Sequence, residues 1–489
     1  MSLTEELIRI VEEGARRAQV TLEEIIQLLV DEWLSSPERE LMLIGERYYR
    51  GEPDILQRKR MAIGPGGQEI EAKHLANNKL AHNFVRKLVD QKIGYLLGLP
   101  MSIQTDNDQY QELLSQIFDR RFLRMMQSVG REAVNKGRAW VHPYYNEAGK
   151  LAFAQIPSEE VIPVWKDTAH TELQAVVRVY EVEVIRDRKK DRVKHVEWWD
   201  TDGVRRYVVD EDEGLVEDIE AGGHGAHFTV VVNGREQGFN WTRVPFVCFK
   251  YNADELPLVR FVKSLVDDYD ARASDNSNNL EDLPNAIYVV KNYEGTDLGE
   301  FRRNLSIYRA VKVTDEGGLE TLGLTIDTEA FRTHMEMLRK DIYEFGRGVD
   351  TQSERFGNSP SGIALKFLYA DLDMDANTME TEFQASMQEL RWFVDQHMAT
   401  TTGVDYSTER VDFIFSRDII INETDVINNA RASVGILSEE TIVANHPWTT
   451  DVNAELERIR REREARLDDL GFGSLRGAGD GQQGGEDDR

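Results

Sequence analysis

The sequence predicts an α+β chain, with helices toward both ends and an antiparallel β region between them. Three observations carry this. Apolar residues recur every three to four positions through the first hundred residues. From about Ala139 to Lys250 the period falls to two. Beyond Pro257 the helical period returns. With 489 residues, 40% of them hydrophobic, the chain has material for roughly two to four compact units.

At the N-terminal end, Thr21-Leu-Glu-Glu is a capping box ahead of the periodic run Ile25-Ile-Gln-Leu-Leu-Val. Ser36-Pro37 places a cap before a proline at the first helical position. One further helix is expected from about Asn83 to Leu97, stopped by Gly98-Leu-Pro100, and another from about Gln109 to Gly137. The β region holds alternating, β-branched segments such as Ala175-Val-Val-Arg-Val-Tyr-Glu-Val-Glu-Val and Phe228-Thr-Val-Val-Val, which suit a curved sheet or a small barrel. Two helices follow, about 257–283 and 328–346, with a small module between them that contains strand-like Ala286-Ile-Tyr-Val-Val and Arg309-Ala-Val-Lys-Val. A loop from Gly348 to Ser359 then breaks the pattern. Ser359-Pro360 restarts a helix that reaches toward Thr402, on the order of 60 Å long. The strand Val411-Asp-Phe-Ile-Phe and helices from about Glu423, Ser438 and Val452 complete the folded part. The Gly- and Asp-rich tail 471–489 reads as disordered.

Composition excludes several classes of function. No stretch approaches the roughly 20 apolar residues that span a bilayer, and the start carries no secretion pattern, so a cytoplasmic origin is expected. The single cysteine, Cys248, rules out a disulfide framework or a Cys-rich zinc site. A phosphate loop, His-Glu-x-x-His and Gly-x-Ser-x-Gly are all absent, so the chain is not expected to be an enzyme and no cofactor or metal is expected. Asp371-Leu-Asp-Met-Asp-Ala-Asn377 with Glu382 imitates a calcium loop. However, Ala376 stands where that loop needs glycine, so a solvated acidic helix face is the better reading. His224-Gly-Ala-His227 lacks a third ligand, and Arg186-Asp-Arg-Lys-Lys-Asp-Arg reads as a hairpin tip.

The net charge of −29 implies that nucleic acid is either irrelevant or passes close by without sticking. Asp267, Asp268, Asp270 and Asp275 crowd one helix. Taken singly they are a solvent face; repeated around a channel they would repel phosphate.

Several ordered segments resemble the portal proteins of long-tailed bacteriophages, from about Tyr48 to Glu464. They are Tyr48-Tyr-Arg-Gly51, the run from Asn77 to Pro100, Pro245-Phe-Val with Pro257-Leu, Asn358-Ser-Pro-Ser-Gly-Ile-Ala-Leu-Lys366, the run from Phe415 to Glu423, and the block from Gly435 to Pro447. The resemblance implies a portal fold and a ring, usually of twelve subunits, at one capsid vertex of the virion. Residues 1–256 would be the wing, 257–283 and 327–347 the stem helices, and 284–326 the clip. Residues 348–360 would be the tunnel loop, 361–422 the long wing helix and its strand, and 423–470 the crown.

The same resemblance implies partners: a terminase large subunit and later a head-tail adaptor at the clip, the major capsid and scaffolding proteins around the ring, and double-stranded DNA passing through without tight binding. In the tunnel loop, Gln352, Ser353, Glu354, Arg355 and Phe356 would lie nearest DNA. The stem wall would carry Asp267, Asp268, Asp270 and Asp275, with Arg332, Arg339 and Lys340 as cations that centre the duplex. Glu294, Asp297, Glu300, Arg302 and Arg303 would be docking contacts of the clip. A minor capsid or scaffold protein without a channel is the alternative.

Overall fold

Short-range capping sets the first helices. Thr21 caps α1 (Leu22–Leu34) with a complete capping box, and Ser36 caps α2 (Pro37–Tyr49) by accepting from Arg39 N. The computed structural model describes residues 21–63, 68–71, 75–186, 189–210, 214–232, 234–281, 286–291, 299, 318–323, 328–352, 367–417, 423–444, 446, 448–449 and 452–469. A short hairpin, β1 (Met61–Ile63) and β2 (Glu69–Glu71), precedes α3 (Phe84–Leu97). Strand β3 (Ser102–Gln104) leads to α4 (Asp108–Ile117) and α5 (Arg120–Lys136). The single helix expected over 109–137 is therefore two. Asp119 leaves helical geometry and turns its carboxylate back on Arg121 N and Phe122 N, starting a new helix.

The β region is antiparallel throughout its described strands but closes no barrel. Strands β4 (Arg138–Tyr145) and β5 (Leu151–Ile156) form a three-stranded sheet with a later strand. A larger sheet contains β6 (Val161–Trp165), β7 (Leu173–Arg186), β8 (Lys189–Asp200), β9 (Gly203–Asp210) and β10 (Gly214–Glu217), ordered β10-β9-β8-β7-β6. Strand β11 (His224–Gly225) also pairs with β9. Strands β12 (Phe228–Val232) and β13 (Arg235–Phe239) make a separate hairpin, and β14 (Val247–Lys250) joins β4.

The larger sheet is buried on both faces at the start of β7, which explains the apolar stretch Ala175–Val177 ahead of the alternating, more exposed part of the strand. Ala175, Val177 and Val179 face Ile26, Val30, Trp33 and Met42 of α1 and α2. Val176 faces the other way, toward Trp140, Phe246 and Cys248. Burial pushes the Cys248 thiol far up, as befits a small core residue. The described part of the basic run lies at the paired ends of β7 and β8, with Arg186 opposite Lys189, and there Lys190 and Arg192 meet Glu181 and Glu183.

Helix α6 (Val259–Glu281) follows β14. Strands β15 (Ala286–Lys291) and β16 (Gly318–Gly323) pair antiparallel, and α7 (Thr328–Phe345) packs against α6. Among the described residues the partner of β15 is therefore 318–323; the Arg309–Val313 run, expected as a strand, lies outside them. Helix α8 (Ala370–Thr402) contributes Leu372, Met379, Phe383, Met387, Leu390 and Val394 to the core, and Gly403 ends it in the left-handed conformation. Strand β17 (Asp412–Ile414) pairs with β3.

The chain divides into two compact units, residues 1–351 with 369–418, and residues 352–368 with 419–489. The second contains α9 (Glu423–Ala432), α10 (Glu439–Ala444), capped by Ser438, and α11 (Val452–Asp469), which pairs Arg463 with Glu439.

Candidate functional site

Helix α6 buries one stripe at Val259, Val262, Val266, Asp270, Ser274 and Asn278. Its first half is apolar. Its second half is polar because of what it meets, the extended segment Asn78–His82. Asn278 Oδ1 accepts from Asn78 N (2.6 Å), Ser274 Oγ from Leu80 N (2.9 Å), and Asp270 Oδ1 from His82 N (2.9 Å). Every fourth helical residue thus serves every second residue of the extended chain. The match is geometric: four residues of helix rise about 6.0 Å, and two residues of strand about 6.6 Å. Asn78 Nδ2 also donates to Glu281, and Arg58 to Asp275, both at 2.7 Å or less. The ladder satisfies alternate N–H groups of a segment whose described pairing includes no sheet partner.

This ladder reassigns the acidic cluster. Asp270 is fully buried and also meets His82 Nδ1 at 2.8 Å; burial pushes its carboxyl above the usual range, against the pull of His82. A group with no exposed surface in the subunit cannot face a channel, so its place among the wall residues is corrected. Asp267 accepts from Tyr48 OH and pairs with Lys263 at 2.6 Å. Asp268 meets Arg272 and His334, and Asp275 meets Arg58. Arg339 makes two 2.8 Å bonds to Asp350. Arg332 and Lys340 lie exposed on α7, where Arg332 pairs with Glu329.

On α7 the apolar residues divide between core and surface. Leu338 and Ile342 are buried beside Tyr343, but Phe345 is 60% exposed, since the chain turns away at Gly346.

Beyond α7, residues 347–350 are held at each position. Lys92 Nζ donates to Arg347 O (3.2 Å), and Gly348 N to Tyr343 O (2.9 Å). The side-chain amide of Gln91 donates to Val349 O (2.7 Å) and accepts from Val349 N (3.2 Å), imitating a β-bridge. Arg347 sits at φ 47°, an uncommon conformation for a residue other than glycine, and a Cβ on Gly348 would stand 2.2 Å from Leu88 Cδ2. Beneath the segment, Lys92 pairs with Asp375 at 2.7 Å, and Tyr251 OH donates to the same carboxylate at 2.8 Å. Burial pulls the Lys92 ammonium below the usual lysine range, although Asp375 pushes it back up. Burial likewise drives the Tyr251 phenol well up.

The imitation calcium loop runs as uninterrupted helix, so it cannot wrap an ion. It is not simply a solvated face either, because Asp375 is buried and Asp373 meets Tyr95 and Arg417. His227 spends its ring nitrogens on Gly203 O and Trp241 N. Gln352 is exposed at the end of the described segment. Ser353, Glu354, Arg355 and Phe356 lie outside the described residues, as do Glu294, Asp297, Glu300, Arg302 and Arg303. Sequence reasoning gave no role to Gln91 and Lys92. The available signal was a lysine set among Leu88, Val89, Ile93 and Leu96 on an apolar helix.

Comparison with known proteins gives a consistent result. The model of the family described as "Phage portal protein, SPP1 Gp6-like" matches residues 38–468. The portal protein of Bacillus phage SPP1 is 30% identical over 463 residues, covering 94% of this chain and 90% of that one. The portal protein of Clostridium phage phiCD119 is 31% identical over 442 residues, covering 87% and 93%. A solved structure, "Neck of empty GTA particle computed with C6 symmetry", aligns with a TM-score of 0.38 at 10% identity, covering 74% of this chain and 88% of that one. That likeness is too loose to bear on the fold.

Proposed function

The chain belongs to the SPP1 Gp6-like family of phage portal proteins, and we propose that it is one subunit of a ring at a capsid vertex, through which viral DNA enters and leaves. The observation that carries this reading is the family match across residues 38–468. In this reading α6 and α7 are the stem, and the segment between them, residues 284–326, is the clip that receives first the terminase motor and then head-tail connector proteins. The loop 348–360 faces the DNA, and the helices of 423–470 form the crown.

Physical chemistry supports a conduit that holds its cargo loosely. Tight, sequence-independent DNA binding needs many Lys and Arg contacts that release counterions from phosphates. This chain carries 88 acidic against 59 basic side chains. Its stem acids are largely committed to partners within the subunit, so the wall role passes to the net charge of the ring rather than to Asp270. ATP hydrolysis is assigned to the motor that docks on the ring.

The test is reconstituted packaging, with capsid precursors built with and without this chain and supplied with terminase, ATP and linear duplex. Precursors containing the chain should protect DNA from nuclease, and those lacking it should not. Equal protection in both would overturn the proposal.

A further inference from the structure

We propose that Gln91 and Lys92, adjacent on α3, are positioning residues that fix the root of the DNA-facing loop and tie it to the long helix α8. The inference deepens the portal reading and rests on its assignment of 348–360 as the loop that meets DNA.

The argument starts from the accounting of polar groups. Between Arg347 and Asp350 the described backbone is neither helix nor sheet, yet groups of Arg347, Gly348 and Val349 are paired. Arg347 O goes to Lys92, Gly348 N to Tyr343 O, and both Val349 groups to Gln91. Val349 itself is 3% exposed. The Asp350 carboxylate is clamped by Arg339 of α7. Loops at a surface are normally solvated and mobile; this one leaves its helix through a fixed gate four residues long.

The second observation is the charge buried under the gate. The Lys92 side chain is 2% exposed and that of Asp375 is 9% exposed. Such a pair is often no more stabilising than an apolar pair of equal volume, so stability alone is a poor reason for it. What the polar pair adds is a donor for the Arg347 carbonyl and an anion for the Arg347 guanidinium, which lies 3.6 Å from Asp375. Asp375 belongs to α8 and Lys92 to α3, so both helices hold the same backbone turn. A displacement of α8 is thereby transmitted to the point where the loop begins.

Two variants of the full chain in assembled rings test this. Gln91→Ala removes the Val349 clamp and leaves no buried charge. Lys92→Met combined with Asp375→Leu replaces the ion pair with apolar volume. Hydrogen exchange at Gly348 and Val349 should quicken about tenfold in both variants, the scale expected for losing one or two such bonds. The unfolding midpoint of Gln91→Ala should stay within a few degrees of the parent. DNA packaged per assembled ring should fall. Unchanged exchange at 348–349 in Gln91→Ala overturns the proposal, and this holds even if the double variant fails to fold. A lowered midpoint with unchanged packaging per ring would reduce the residues to a structural role and also overturn it. Faster exchange with normal packaging would mean that fixing the root does not matter to DNA passage and would overturn the proposal while leaving the portal reading intact, whereas failure of the parent chain itself to support packaging would sink the portal reading.

Discussion

Glu255 shows how single residues hold the junction between the sheets and α6. It pairs with Arg138, with His170 at 2.8 Å and with Lys250 at 3.1 Å, while Arg138 also reaches Glu38 at 2.6 Å. Burial raises the Glu255 carboxyl, but His170, Arg138 and Lys250 outweigh it and hold the group far below its ordinary 4.5. A carboxylate depressed in the folded state binds fewer protons there than when unfolded. Its stabilisation is therefore complete above about pH 4.5 and is lost as the pH falls below that value. Glu255→Gln should cost roughly 3 kcal/mol at neutral pH, because it leaves the buried Arg138 with Glu38 as its remaining carboxylate partner among the described residues and removes the anion from His170 and Lys250, and should flatten the loss of stability in acid. Denaturant titrations at pH 7 and pH 4 check both statements. Asp270 gives a second prediction. Asn at this position can still accept from His82 N and carries no buried charge, so Asp270→Asn should be nearly neutral in stability. Asp270→Leu leaves that N–H unpaired and should lose about 1–3 kcal/mol by the same titration. If Asp270→Asn instead changed packaging at unchanged stability, a wall role would be restored to it.

At the scale of elements, the ladder between α6 and residues 78–82 explains a helix that turns polar halfway along its buried face. Replacing Ser274 and Asn278 together with Val and Leu should free the segment while α6 stays helical. Trypsin cleavage at the exposed Lys79 should then accelerate several-fold relative to the parent, the sign of local opening; an unchanged rate would mean that the segment is held by other contacts. This is also where reading the sequence reaches its range. The caps at Thr21, Ser36 and Ser438 were legible because a cap is decided within four residues. The reach of α8 to Thr402 was legible because a helical period is local. The break at Asp119 was hidden, since apolar spacing carries through it, and one aspartate had to be recognised as a cap. The polar partners of α6 lie 188 to 200 residues away, and no local pattern could announce them. Asp270 was therefore read as a surface acid, and Asp375 as part of a solvated face, when long-range partners bury both.

At the scale of the whole molecule, the proposed conduit rests on the balance of 88 acidic to 59 basic residues, because tight, sequence-independent DNA binding needs many Lys and Arg contacts. The purified chain should show no ATP turnover above background in a phosphate-release assay; sustained turnover would move it to the motor class. Family membership was readable from ordered motifs spread over most of the chain, and the match over residues 38–468 agrees with it. The residues that would touch DNA or the docking partners were less readable, because in a ring they are chosen by symmetry, which one chain's sequence does not display. The measurement that tests the central claim most directly is electron microscopy of the purified full-length chain. Closed rings with an open axial hole are the predicted result. Monomers, open filaments or discs without a hole would contradict it.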